Sequence, residues 1–202
     1  MDKGWSEKNK KMQELIGKEA TFAEGIKLLI ELRAELFEQI TSIVKTFPAV
    51  AFYQMPFGAG EGSHRTTLAW SLWHTFRIED IVVHELILKD KQILLQGTWL
   101  KKTASPIITT ANELDGDAMI EFSKKLDVKG VYEYCKAVME STNEMLGQLT
   151  FSELKKTFSD EDRERVVASK SVSPEESSVW LIDFWCGKNV KGLIQMPFPA
   201  TG

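Results

Sequence analysis

From Leu68 to Leu88 the chain reads LAWSLWHTFRIEDIVVHELIL, which sets His74 among bulky apolar residues and adds Arg77, Glu79, Asp80, His84 and Glu85 nearby. A histidine in that setting is either a metal ligand, offering one imidazole lone pair, or a core residue held by a polar partner. As a core residue it calls for a carboxylate from another helix. As a ligand it needs donors from elsewhere in the chain. His64, His74 and His84 are spaced by ten, and none has a second histidine three or four residues away on the same helical face, which excludes a zinc site built within one helix. His84 follows Asp80 by one turn, a spacing that predicts a histidine–carboxylate contact. His64, at the end of a glycine-rich loop, is a weaker ligand candidate. Arg33 interrupts an apolar helical seam where Leu or Ile would be expected. It snorkels, pairs with Asp80 or Glu79, or faces an anionic ligand.

Other chemistries find no foothold. GAGEG at Gly58 to Gly62 follows no predicted strand and lacks the lysine and hydroxyl of a P-loop, so nucleotide binding is unsupported. No local signature of a nucleophile turn occurs, and a Ser, Cys or Asp nucleophile with its own base cannot be assembled from the sequence. Cys135 and Cys186 lie far apart within apolar helical patterns, which predicts reduced, buried thiols.

The elements that must position these residues are helices. At roughly 100° per residue, Trp70, Ile78, Ile81, Glu85 and Leu88 share a face with His74. Trp73, Arg77, Asp80 and His84 form the neighbouring ridge, with Leu72, Phe76, Val83 and Leu86 on the remaining side. A helix apolar nearly all round belongs at the centre of its fold. Thr66 or Thr67 caps its start, and it runs to about Lys89. Before it, a polar helix spans about Ser6 to Ile16 within an N-terminal extension of residues 1–20. A long helix follows with its seam through Phe22, Ile26, Leu29, Arg33, Leu36, Ile40, Ile43 and Phe47, stopped at Pro48. AVAFYQMPFGAGEGSH is then a long loop. Residues 90–115 form an irregular, partly buried excursion. A short helix from about Gly116 to Leu126 precedes a long one carrying Val131, Cys135, Val138, Thr142, Met145 and Leu149. Phe151 to Lys170 reads as a polar helical surface. Ser173, Pro174 and Glu176 fit the N-cap, first position and reciprocal cap of a further helix. No strand pattern, repeat or low-complexity segment emerges, so the fold class is all-α with bundle packing, in one domain over residues 1–202.

The 202 residues, 43% hydrophobic and 27% charged, can bury one substantial core. A net charge of -4 and a pI near 5.5 come from well-mixed signs and remove the footprint of a nucleic-acid binder. No apolar run approaches the roughly 18 residues that span a bilayer, and MDKGWSEKNKK is not a secretory signal, so no membrane partner and a cytoplasmic location are expected.

The segment SLWHTFRIEDIVVH resembles the DinB/YfiT-like superfamily, whose second long helix carries a histidine followed by an R-x-E-D type segment. The likeness runs, in order and spacing of helices, from about Phe22 to Phe198 and includes WLIDFWCGKNVKGLIQMPF. It implies a four-helix bundle, often dimeric, with a divalent metal (Zn, Ni or Mn) in its core and a relation to metal-dependent hydrolases and thiol S-transferases. One metal-binding histidine maps onto His74, with Arg77, Glu79 and Asp80 behind it. Two more are implied on the last helix, four positions apart. Here no histidine follows His84, and PFPATG stands where that helix is expected. The expectation is therefore a DinB-like bundle with extra short helices, its last bundle helix missing or truncated and its metal site incomplete. Three imidazoles hold an open site with a water position, whereas one imidazole is a far weaker ligand set. The alternative is a catalytically inactive bundle that binds a small ligand or a protein partner, suggested by Trp70, Trp73, Trp99, Trp180 and Trp185. The apolar seams of the long helices also need a cover that PFPATG cannot supply, which predicts a homodimer.

Overall fold

The computed structural model describes residues 3–55 and 66–195, in which the regular elements are all helices and β-pairing occurs only at one isolated bridge between Thr157 and Asn189. Three long helices carry the fold. α2 spans Phe22–Thr46 and ends where Pro48 forbids continuation. α3 spans Leu68–Ile81 and continues without a break as a π-helix over Val82–Leu88. α6 spans Val128–Gln148 and packs against both of the others. Thr67 rather than Thr66 caps α3, its hydroxyl accepting from the Trp70 amide at 3.1 Å.

The N-terminal helix α1, Lys3–Ile16, is part of the core and no appendage. Met12 and Ile16 are buried with Leu29, Met145 and Leu146. Its end approaches α2 so closely that a Cβ on Gly25 would lie 2.6 Å from the Ile16 amide nitrogen, so glycine there is required by contact. The excursion after α3 holds a 3-10 turn at Ile93–Leu95 and the short helix α4, Trp99–Thr103. α4 sits directly on α6. A Cβ at Gly130 would fall 1.9 Å from the Lys102 carbonyl oxygen.

α5 spans Gly116–Lys125, and a 3-10 turn at Phe151–Lys155 leads to α7, Asp160–Ala168. α8, Glu176–Cys186, begins two residues later than its capping pattern predicts, with Glu175 in the N-cap position. The reason is local: the Ser173 hydroxyl accepts from the Glu175 amide at 3.3 Å and is spent in the preceding turn. The reciprocal capping arrangement occurs instead at Thr150/Glu153 and Ser159/Asp162. A last helix, α9, spans Val190–Ile194 and is capped by Asn189, whose side chain accepts from Gly192. The sequence reading places no helix there. Leu181, Ile182 and Trp185 of α8 pack with Ile81, Leu86 and Val166, closing the core beside the π-helix.

No helix among the described residues is long and apolar enough to cross a membrane.

Candidate functional site

Four side chains with N–H donors line one side of α3 at spacings of three, four and seven residues: Trp70, Trp73, His74 and Arg77. Each donates to a backbone carbonyl of the irregular run Ile108–Ala111, in which Ala111 is left-handed at φ 62°. Trp70 Nε1 reaches Ala111 at 2.8 Å, Trp73 Nε1 reaches Thr109 at 3.0 Å, and His74 Nδ1 meets Thr110 at 2.8 Å. Arg77 reaches Ile108 twice, through Nε at 3.1 Å and Nη2 at 2.8 Å. Four consecutive carbonyls are thereby satisfied without a strand partner, which is how an irregular segment can lie against the core. The excursion is a strap, and α3 is its buckle.

His74 therefore has a backbone carbonyl as its polar partner, where the sequence calls for a carboxylate. Its ring stacks on Trp70 with centroids 4.3 Å apart and planes 10° from parallel. Burial pushes the imidazole below its ordinary value of 6.5, and the Thr110 carbonyl offsets part of that effect. A carbonyl only accepts, so Nδ1 carries the proton and Nε2 of the neutral ring keeps its lone pair.

Arg77 is fully buried, and each of the guanidinium's five N–H donors has an acceptor. Besides the strap, Nη1 donates to Asp80 Oδ2 at 2.8 Å and to Tyr134 OH at 3.2 Å, and Nη2 to Gln92 Oε1 at 2.6 Å. Asp80 also accepts from the Tyr134 hydroxyl at 2.8 Å and from the Ile93 and Leu94 amides at 2.8 and 3.0 Å. Gln92 passes the network on to Glu85 at 2.5 Å and to Ser171 at 2.9 Å. Burial, foremost, holds the Tyr134 phenol well above its ordinary value, so it remains a proton donor to Asp80.

Arg33 takes the pairing anticipated for it. It grips Glu79 through Nη2 at 2.5 Å and Nη1 at 3.3 Å, and its Nε donates to Asn143 at 2.9 Å, joining α2, α3 and α6 in one bidentate contact. A cavity of about 20 Å³ lies between Arg33, Glu79, Phe37 and Phe76, and one of about 10 Å³ between Arg33, Leu29, Val83 and Thr142. Each is the size of a water molecule.

His84 keeps its expected contact with Asp80 and adds a closer one with Asp90. Its Nδ1 meets Asp90 at 2.5 Å, while Asp80 stands 3.8 Å from Nε2, beyond hydrogen-bonding distance. The left-handed Lys89, φ 60°, folds Asp90 back towards His84. Nε2 lies 3.2 Å from the Ser141 hydroxyl on α6. Tertiary structure thus assembles a Ser–His–Asp sequence that the chain order conceals. Ser141 is nevertheless a poor nucleophile. It sits in mid-helix, where neighbouring amides are spent in the helical ladder and offer no oxyanion donors.

His74, Arg77, Glu79 and Asp80 thus share one helix but serve three networks, and His64 lies outside the described residues. Among the described residues no group of three His, Cys, Asp or Glu side chains is arranged to hold a metal ion. Cys135 and Cys186 are unbridged, and burial raises both thiols, Cys135 well above its ordinary value. From the sequence, residues 90–115 read only as an irregular, partly buried excursion, and the row of donors on α3 was not recognised. The acceptors, being backbone, left no trace in residue types.

Comparison with models of known protein families and with curated proteins gave no match.

Proposed function

We propose that the protein is a DinB-like helical bundle in which His74 is a preset ligand for a divalent metal such as Zn, Ni or Mn. One observation carries the reading: the Thr110 carbonyl fixes the His74 tautomer that leaves Nε2 as an acceptor. That is how metal-binding imidazoles are oriented by a partner behind the ring. Burial favours the neutral form, which is the form that coordinates. The described residues supply this one nitrogen and not a complete set, so no hydrolytic or thiol-transfer step is assigned to them.

The test is titration of the protein with Zn, Ni and Mn, followed by calorimetry and by the NMR signals of the His74 ring. Paramagnetic Ni or Mn should broaden those signals selectively, and His74→Ala should abolish the calorimetric site. An unaffected His74 ring, or metal uptake unchanged in His74→Ala, would overturn the reading.

A second reading, a bundle that acts by binding a partner, is favoured by a separate observation. Trp180 and Phe184 are 49% and 44% exposed on α8, although their neighbours Leu181 and Trp185 are buried. Large aromatics left half in water mark contact surfaces more often than scattered aliphatic residues do.

A further inference from the structure

α8 is apolar on two opposite sides. Leu181, Ile182 and Trp185 face the core, while Val179, Trp180 and Phe184 face outwards. The outer aromatics pack edge-to-face on each other, 5.7 Å between centroids. They belong to a row with four-residue spacing, Glu176, Trp180, Phe184 and Lys188, which forms one ridge along the helix and the turn that ends it. Glu176 is exposed at its start. Lys188 lies at its end with its ammonium 4.3 Å from the Phe184 ring centroid.

That ridge is complementary to itself when reversed. Level with residue 182, Trp180 and Phe184 stand two positions to either side, and Glu176 and Lys188 six. A two-fold axis there brings each Trp180 onto a partner Phe184 and each Glu176 onto a partner Lys188, so both aromatic contacts and both charge contacts are made twice. A parallel arrangement would set Glu176 against Glu176. We propose that the Glu176–Lys188 ridge of α8 is a homodimer contact, occupied by the same ridge of a second copy running antiparallel. The surface is α8 and not the seams of the long helices, and it stands independently of whether His74 takes a metal.

The size of the contact sets its strength. An aromatic side chain carries about 150–250 Å², so the exposed halves of Trp180 and Phe184 contribute roughly 100 Å² each. The ridge falls short of the roughly 800 Å² per partner of a standard interface. Association through so small a contact is therefore weak and reversible.

Sedimentation velocity of the 202-residue protein, from about 10 μM to 1 mM at low salt, reads this out. A concentration-dependent dimer is expected, weakened at least tenfold by Trp180→Glu, with circular dichroism confirming that the variant remains folded. Glu176→Lys and Lys188→Glu should each weaken the dimer through like-charge contact. The double exchange should restore it, because both contacts then invert together. A monomer throughout the range, a dimer indifferent to Trp180→Glu, or a double exchange no better than the single ones would overturn the proposal.

Discussion

Replacing Arg77 with methionine tests whether the polar centre of the bundle is a lock. Methionine keeps an unbranched apolar stem but removes five hydrogen bonds, including both to Ile108 and the charged contact to Asp80 at 2.8 Å. Asp80 is fully buried, and would keep the Ile93 and Leu94 amides and the Tyr134 hydroxyl while losing the adjacent cation. Breaking a buried pair by deleting one partner costs about 3–5 kcal/mol. At about 2–4 °C per kcal/mol for a chain of this size, Arg77→Met should melt roughly 6–20 °C below the parent. Tyr134→Phe, which removes one hydroxyl bound to charged groups, should cost about 1.5–3 kcal/mol. The double variant Arg77→Met/Asp80→Leu removes both charges, and its loss should be well below the sum of the single losses. Thermal and urea unfolding measure all of these. Hydrogen exchange adds a local readout, since losing the Ile108 contacts should speed exchange across residues 105–114. The reasoning is refuted if Arg77→Met melts within about 2 °C of the parent, or if the two replacements add within about 0.5 kcal/mol.

Two other outcomes follow from the same geometry. Because burial lowers the folded-state value of His74, the unfolded chain binds a proton below pH 6.5 that the folded chain does not. The His74 contribution is thus fully present above pH 6.5 and lost as the pH falls below it, so urea stability should decline as the pH is lowered from 6.5. His74→Gln should make that decline shallower, and equal slopes would count against a buried, neutral imidazole. Gly130→Ala places a methyl group 1.9 Å from the Lys102 carbonyl oxygen, where the obstacle is backbone and cannot swing aside. α4 must lift from α6, and a loss of several kcal/mol, of order 3, is expected in urea unfolding; a loss under about 1 kcal/mol would show that α4 yields freely.

The helices were legible because their signals are local. The seam from Phe22 to Phe47 with Pro48 behind it, and the threonine before the apolar run at Leu68, fix α2 and the start of α3 through three- and four-residue periodicity and capping. For Arg33, pairing with Glu79 or Asp80 was one of three readings of a lone cation on an apolar seam, beside snorkelling and an anionic ligand, and the structure takes the pairing with Glu79. The π-helix at Val82–Leu88 could not be read, since its residue types suit an α-helix equally well. His84 has the contact with Asp80 that its one-turn spacing predicts, but its closer hydrogen bond to Asp90 was not legible.

What the sequence determined by itself was an all-helical chain and the short list of polar side chains too deeply set to lack partners. Which partner each one took was decided by tertiary structure. His74, Trp70, Trp73 and Arg77 each carry an N–H donor, but the sequence did not group them, and their acceptors are main-chain carbonyls 31 to 41 residues away. Every residue carries a carbonyl, so no residue type announces the one that will be used. Only the path of Ile108–Ala111 across α3 makes that choice, by bringing four of them within reach of one helix face.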